Sequence, residues 1–216
     1  MNRRNFSAAL IGAGFGAGTL PLAAPASAQG AAPVEGKQFV RVDPPVAASA
    51  AGKVEVIEFF SYACPHCSAL EPFVAAWAAK LPPTVAFHRV PVLFLMNNEN
   101  FARIYYALES MGQVDAMQRK VFAAVHVDRV PLDKPADIAA WMAKSGIDGP
   151  KFLDQFNSFS VASSVKRAKK LMADYKIDSV PSIAVQGRYL TSPSQAGGLQ
   201  ETLTVTDYLI QRTRVA

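Results

Sequence analysis

Residues 53–60 read KVEVIEFF, β-branched and aromatic, with polar interruptions only at Glu55 and Glu58. A run that is apolar on both alternating faces predicts a central strand covered on both sides. Beyond it Leu70, Phe73, Val74, Trp77 and Leu81 recur at helical spacing, and Pro82-Pro83 ends the pattern. Residues 84–90 predict a second strand. Residues 37–42, stopped by Pro44-Pro45, predict a short earlier one. The opening order is therefore β-β-α-β.

A long helical section follows. Phe101, Ile104, Tyr105 and Leu108 form one apolar stripe, and Val114, Met117, Val121 and Val125 form another. Ile138, Trp141 and Met142 mark a third helix. Phe152, Leu153, Phe156 and Phe159 mark a short fourth, and residues 161–175 a long alanine-rich fifth. Strand character returns at 180–185 (VPSIAV) and at 188–190 after Gln186-Gly187, and residues 202–214 close the chain as a helix. No internal repeat is visible. The pattern predicts an α/β domain made of residues 37–96 and 176–216, interrupted by a helical insertion over 97–175.

The first residues carry a different message. Arg3 and Arg4 precede an acid-free, small and apolar stretch, and Ala26-Ser27-Ala28 supplies a cleavage pattern before Gln29. This is the layout of an export signal over residues 1–28. Four glycines, Pro21 and about 15 apolar residues make a poor membrane span. The arginine pair with Phe6 resembles a twin-arginine signal, although Asn2 stands where a serine is usual, so either export route fits. Removing both arginines lowers the formal net charge from +5 to +3. Nucleic acid is not implied, and the expected location is the periplasm, where disulfides persist.

Two cysteines in 216 residues can neither staple a scaffold nor alone fill a four-ligand zinc site. They are Cys64 and Cys67, in the run Cys64-Pro65-His66-Cys67, directly after the central strand and opening the amphipathic helix. The first N–H groups of a helix have no intrahelical acceptor, so a thiolate there is stabilised. Pro65 suits the first turn, and His66 can stabilise the sulfur further. Cys67, one turn deeper, fits a resolving thiol. Half a zinc site would need His66, His88 or His126, and a purely structural four-residue loop would contribute little stability. A redox pair fits best, with no metal and no cofactor beyond the Cys64–Cys67 disulfide.

At these residues the sequence resembles the DsbA family of thioredoxin-fold thiol:disulfide oxidoreductases. The resemblance rests on Glu58-Phe59-Phe60-Ser61-Tyr62 leading into the cysteine motif, on Val180-Pro181, and on the order of elements. It implies a thioredoxin-like domain, a central mixed sheet flanked by helices, with an inserted helical domain. It further implies that Pro181 is cis and, with Val180, helps hold an incoming peptide, and that Glu58 moves a proton near Cys67. Some members pair this acid with a lysine, but none occurs between Lys80 and Lys120. His88 or Arg89 can substitute, or the acid lacks a charged partner. The implied activity is oxidation of newly exported polypeptides through a mixed disulfide at Cys64. A DsbB-type quinone-linked membrane protein would reoxidise a monomeric enzyme.

An isomerase or reductase is the competing enzyme. Residues 29–52 are too few for the separate dimerisation domain that exported isomerases of this fold generally carry. A non-catalytic holdase is the competing binder. Lys166, Arg167, Lys169 and Lys170 read as a solvated helix face, residues 90–96 as core packing at a strand end rather than a peptide groove, and His126 as structural.

Overall fold

The computed structural model describes residues 31–95 and 99–214, so the expected signal over 1–28 and Met96 lie outside the described residues. The strand predicted at 53–60 is β2 (Val54–Phe60), and all seven of its residues are buried. It lies between parallel β3 (Val85–Pro91) and antiparallel β4 (Ser182–Val185). With β5 (Tyr189–Thr191) and β1 (Val40–Arg41) the sheet order is β1-β5-β4-β2-β3.

Strand alternation sends β2 into two cores. Val54 and Val56 pack with Leu70 and Val74 of α1 (Pro65–Ala78) and with Leu209 and Ile210 of α8 (Leu199–Arg214). Ile57 and Phe59 join the other core, to which the helical section contributes. Its helices are α2 (Glu99–Ser110), α3 (Val114–His126), α4 (Pro135–Lys144), α5 (Gly149–Phe156) and α6 (Phe159–Asp174). The expected stripes are buried at Phe101, Ile104, Leu108, Met117, Val121, Ile138, Met142, Phe152 and Phe156.

Several expectations need correction. The strand expected at 37–42 shrinks to two residues, because Gly36 (φ 82°) opens a turn closed by its N–H to the Phe39 carbonyl at 2.8 Å. Leu81 lies beyond the end of α1. The late strand begins only at Ser182, since Pro181 has no N–H for the ladder. Helix α8 starts three residues early, after the unexpected short helix α7 (Pro193–Ala196). Phe159, assigned to an apolar stripe, is 87% exposed at the first position of α6. The four basic residues of α6 are exposed, as expected, with Lys169 bonded to Glu99 and Lys170 to Asp174. In the 90–96 run Val90 and Val92 are core, while Phe94 is partly exposed.

Candidate active site

The motif is presented by a tight turn at the end of β2. The Cys64 N–H donates to the Ser61 carbonyl at 3.0 Å and the Ala63 N–H to Ser61 Oγ at 3.1 Å. Tyr62, fully buried, donates its hydroxyl to Gln118 Oε1 at 2.5 Å, and its carbonyl accepts from His126 Nε2 at 2.8 Å. The helical section thus grips the residue two places before Cys64, and the structural reading of His126 acquires a definite contact.

Cys64 is the N-cap of α1. Its sulfur accepts from the Cys67 N–H at 3.4 Å, where a capping oxygen usually stands, and Pro65 follows in the first turn. Pro65 and His66 are exposed, while Cys64 is 5% and Cys67 1% exposed. The two thiols have opposite acidities. That of Cys64 is pulled down to about 6, first by the Cys67 thiol donating to it. The backbone N–H groups of Cys67 and His66 and the charge of His66 add to this, against the opposing effect of burial. Burial, then the neighbouring Cys64 sulfur, pushes Cys67 strongly up. Both cysteines are free thiols here, and the Cys64 thiol donates to the Val180 carbonyl at 3.4 Å. The Val180–Pro181 peptide is cis, with Val180 half-buried and Pro181 buried. The Asp43–Pro44 bond is also cis.

Glu58, 2% exposed, does have a charged partner. It stands opposite Arg89 in the β2–β3 register and accepts from Arg89 Nε at 3.0 Å. Arg89 Nη2 also reaches both oxygens of Glu71, at 3.3 and 3.2 Å. His88, one residue earlier, faces the other side and lies 3.7 Å from Glu55. Despite its ion pair, Glu58 is raised to about 7, because burial outweighs the attraction of Arg89 and Glu71 adds repulsion. Its charge in turn contributes to holding the proton on Cys67. Glu71 escaped the sequence reading, although its spacing from Cys67 puts both on one helix face. Among the described residues no group of three or more Cys, His, Asp and Glu side chains could hold a metal, and no helix is long and apolar enough to cross a membrane.

Strand, Cys-x-x-Cys helix and cis-proline turn thus meet at one end of a mixed sheet. The family of DSBA-like thioredoxin domains matches residues 74–204. The chain belongs to the DsbA family. The thiol:disulfide interchange protein DsbA of Pseudomonas aeruginosa is 40% identical over 84% of this chain and 86% of its own length. That of Bordetella pertussis is 39% identical over 99% of this chain and all of its own. The crystal structure of Pseudomonas aeruginosa DsbA superposes with a TM-score of 0.81 at 39% identity, covering 84% of this chain and 95% of that one. A Neisseria meningitidis oxidoreductase of the family, NmDsbA1, gives 0.76 at 26% identity, over 84% and 94%. Like its DsbA relatives, this chain is a protein disulfide oxidoreductase of thioredoxin-like fold.

Proposed function

We propose that the chain works as an oxidant, donating a Cys64–Cys67 disulfide to pairs of client thiols. The observation that carries this reading is the opposed acidity of its two thiols, Cys64 near 6 and Cys67 far higher. A low-pKa thiolate stabilises the reduced enzyme and makes its disulfide the stronger electron acceptor.

A client thiolate attacks Cys64 Sγ, the Cys64–Cys67 bond breaks, and Cys67 leaves with the electron pair. Cys67 then takes a proton, for which Glu58 is the nearby acid. The client's second thiol loses its proton to solvent, from which Glu58 is reprotonated, and attacks the client sulfur of the mixed disulfide, so that Cys64 leaves as the better leaving group. Two electrons pass to the enzyme, one proton stays on Cys67, and Cys64 remains ionised at neutral pH. Pro65 and His66 tune the Cys64 thiolate, and Val180 with Pro181 supports the incoming client. No cofactor or metal is required beyond the disulfide itself. Clients with reduced cysteines would be newly exported polypeptides met in the periplasm, which the chain reaches by a cleaved signal over 1–28. Residues 97–175 act as an inserted helical domain in a monomer. A quinone-linked membrane protein of the DsbB type restores the disulfide.

The test is stoichiometric oxidation of a reduced two-cysteine peptide by the disulfide form, followed by mass. Rapid oxidation, abolished in Cys64→Ala, is expected. Net reduction or reshuffling of client disulfides would replace the oxidase reading with the reductase or isomerase one. Suppression of client aggregation with no thiol exchange would leave a holdase.

A further inference from the structure

Strand β3 ends the sheet on the side away from β1, so one of its edges has no neighbouring strand. Two hydrogen bonds to β2 fix which groups face that edge. The Val92 N–H donates to the Phe60 carbonyl at 2.7 Å, and the Thr84 carbonyl accepts from the Val54 N–H at 2.9 Å. Main-chain groups turn to alternate sides along a strand, so Ala86, His88 and Val90 also turn theirs to β2. Val85, Phe87, Arg89 and Pro91 turn theirs outward. The Val85 N–H is spent on the Pro82 carbonyl at 2.9 Å, and proline has none. The N–H groups of Phe87 and Arg89 and the carbonyls of Val85, Phe87 and Arg89 are left without a hydrogen-bond partner among the described residues.

Open space lies on both faces of this edge. A cavity of about 630 Å³ runs from Phe87 and Arg89 to Ala75 and Ala78 of α1 and to Gly112 beyond α2. A second, of about 880 Å³, is lined by Ile57 and Val90 on the opposite face of the sheet and by Tyr106 and Leu171 of the insertion. His88, Arg89 and Glu109 line both, so the two meet at the edge. In the first, the buried amide nitrogen of Gln118 is close enough to Glu71 to favour its charged form, yet beyond hydrogen-bonding reach of any described partner. Charges of both signs surround the cavities. Glu71 pairs with Arg89 and Asp174 with Lys170, while Glu109, Asp115 and Arg119 form no salt bridge among the described residues. Such a mixture selects no particular side chain, whereas a row of unpaired main-chain groups selects an extended backbone.

We propose that the outer edge of β3 is a docking site for an extended segment of an unfolded polypeptide, which adds to the sheet as a further strand. That strand accepts from the Phe87 and Arg89 N–H groups, donates to the outward carbonyls, and sends alternate side chains into the two cavities. With ~3.4 Å of rise, ~4.8 Å between strands and ~10 Å between layers, one residue of strand fills ~160 Å³, so the smaller cavity matches about four residues. Walls from α1 and from the α2–α3 corner suit a single strand rather than the sheet of a second folded copy. Neither cavity is lined by Cys64, Val180 or Pro181, so the site stands whichever way the thiols exchange.

The experiment titrates the reduced protein with a cysteine-free octapeptide of alternating threonine and valine, read by amide NMR shifts and hydrogen exchange. The Phe87 and Arg89 amides should shift and become about tenfold better protected. The same peptide methylated at every backbone nitrogen should bind about thirtyfold more weakly, the factor that two main-chain hydrogen bonds supply. Phe87→Pro removes an outward N–H and should abolish binding, while Phe87→Leu keeps that N–H and should bind as wild type does. Should Phe87→Pro fail to fold, the methylated peptide and the amide protection decide. Equal affinity for the methylated peptide overturns the proposal, as does absence of binding at millimolar peptide. Shifts confined to Cys64 and Val180 would assign the peptide to the redox site instead and overturn it too. So would a concentration-dependent dimer that protects Phe87 and Arg89 without peptide, for the edge would then belong to a second copy.

Discussion

Ionising the buried Glu58 carboxyl should cost folding stability at neutral and alkaline pH even beside Arg89, and Glu58→Gln exposes that cost. The Glu58 carboxyl ordinarily titrates at 4.5 and is held in the fold at about 7. An acid whose pKa is raised on folding contributes stability below its unfolded value, and this is lost as pH rises through the folded value. Taken between those two values, the proton-linkage relation gives a cost of about 1 kcal/mol at pH 5 that grows to about 3 kcal/mol at pH 8. Glutamine does not titrate, so the variant lacks this slope whatever its own packing cost. Urea unfolding of the two reduced proteins at pH 5, 6, 7 and 8 measures the double difference. Wild type should lose about 2 kcal/mol more than Glu58→Gln across that range. Parallel stability curves refute the reasoning. So does a wild type that gains on the variant with rising pH, for then the 3.0 Å contact with Arg89 outweighs burial.

Two further outcomes follow from the geometry. The ultraviolet absorbance of the reduced protein should show the Cys64 thiolate forming near pH 6. Cys67→Ala, which removes the leading donor, should raise that midpoint by ~1 unit, the equivalent of one hydrogen bond; an unmoved midpoint would assign the acidity to the backbone N–H groups and His66. Gly187→Ala should cost ~2 kcal/mol or more in urea unfolding, since its Cβ would stand 1.7 Å from the Val46 carbonyl oxygen at a φ of 63°. An unchanged midpoint there would mean that the Val46 N–H, which donates to the Gly187 carbonyl at 2.9 Å, does not hold that segment against the β4–β5 turn.

Local pattern carries far in this chain. β2 announced itself because both of its faces are apolar, the helices because their stripes keep a 3.6-residue period, and the cysteine motif because its spacing falls at a strand-to-helix junction. What stayed hidden depends on register. His88 and Arg89 are adjacent and point to opposite faces, so choosing between them as the partner of Glu58 required knowing which residue of β3 lies across from it. Glu71 looked like any helix glutamate, since nothing local says that α1 packs it against Arg89. The contact from His126 to Tyr62 spans 64 positions, and the free edge of β3 shows only once the order of the strands is known. Phe159 failed for the opposite reason: an apolar residue was credited with burial, although Ser158 caps α6 immediately before it and leaves it facing outward.

The sheet joins strands far apart in sequence, with β2 completed by a β4 that lies well over one hundred residues later. At ribosomal rates of about 5–20 residues per second, Cys64 and Cys67 emerge on the order of ten seconds before Val180 and Pro181 exist. During that interval the thiols lack the neighbouring strand that later completes their surroundings. In many disulfide proteins such a delay permits wrong pairings. Here the 216 residues hold no third cysteine, so the nascent chain can wait for β4 without any intramolecular error to correct.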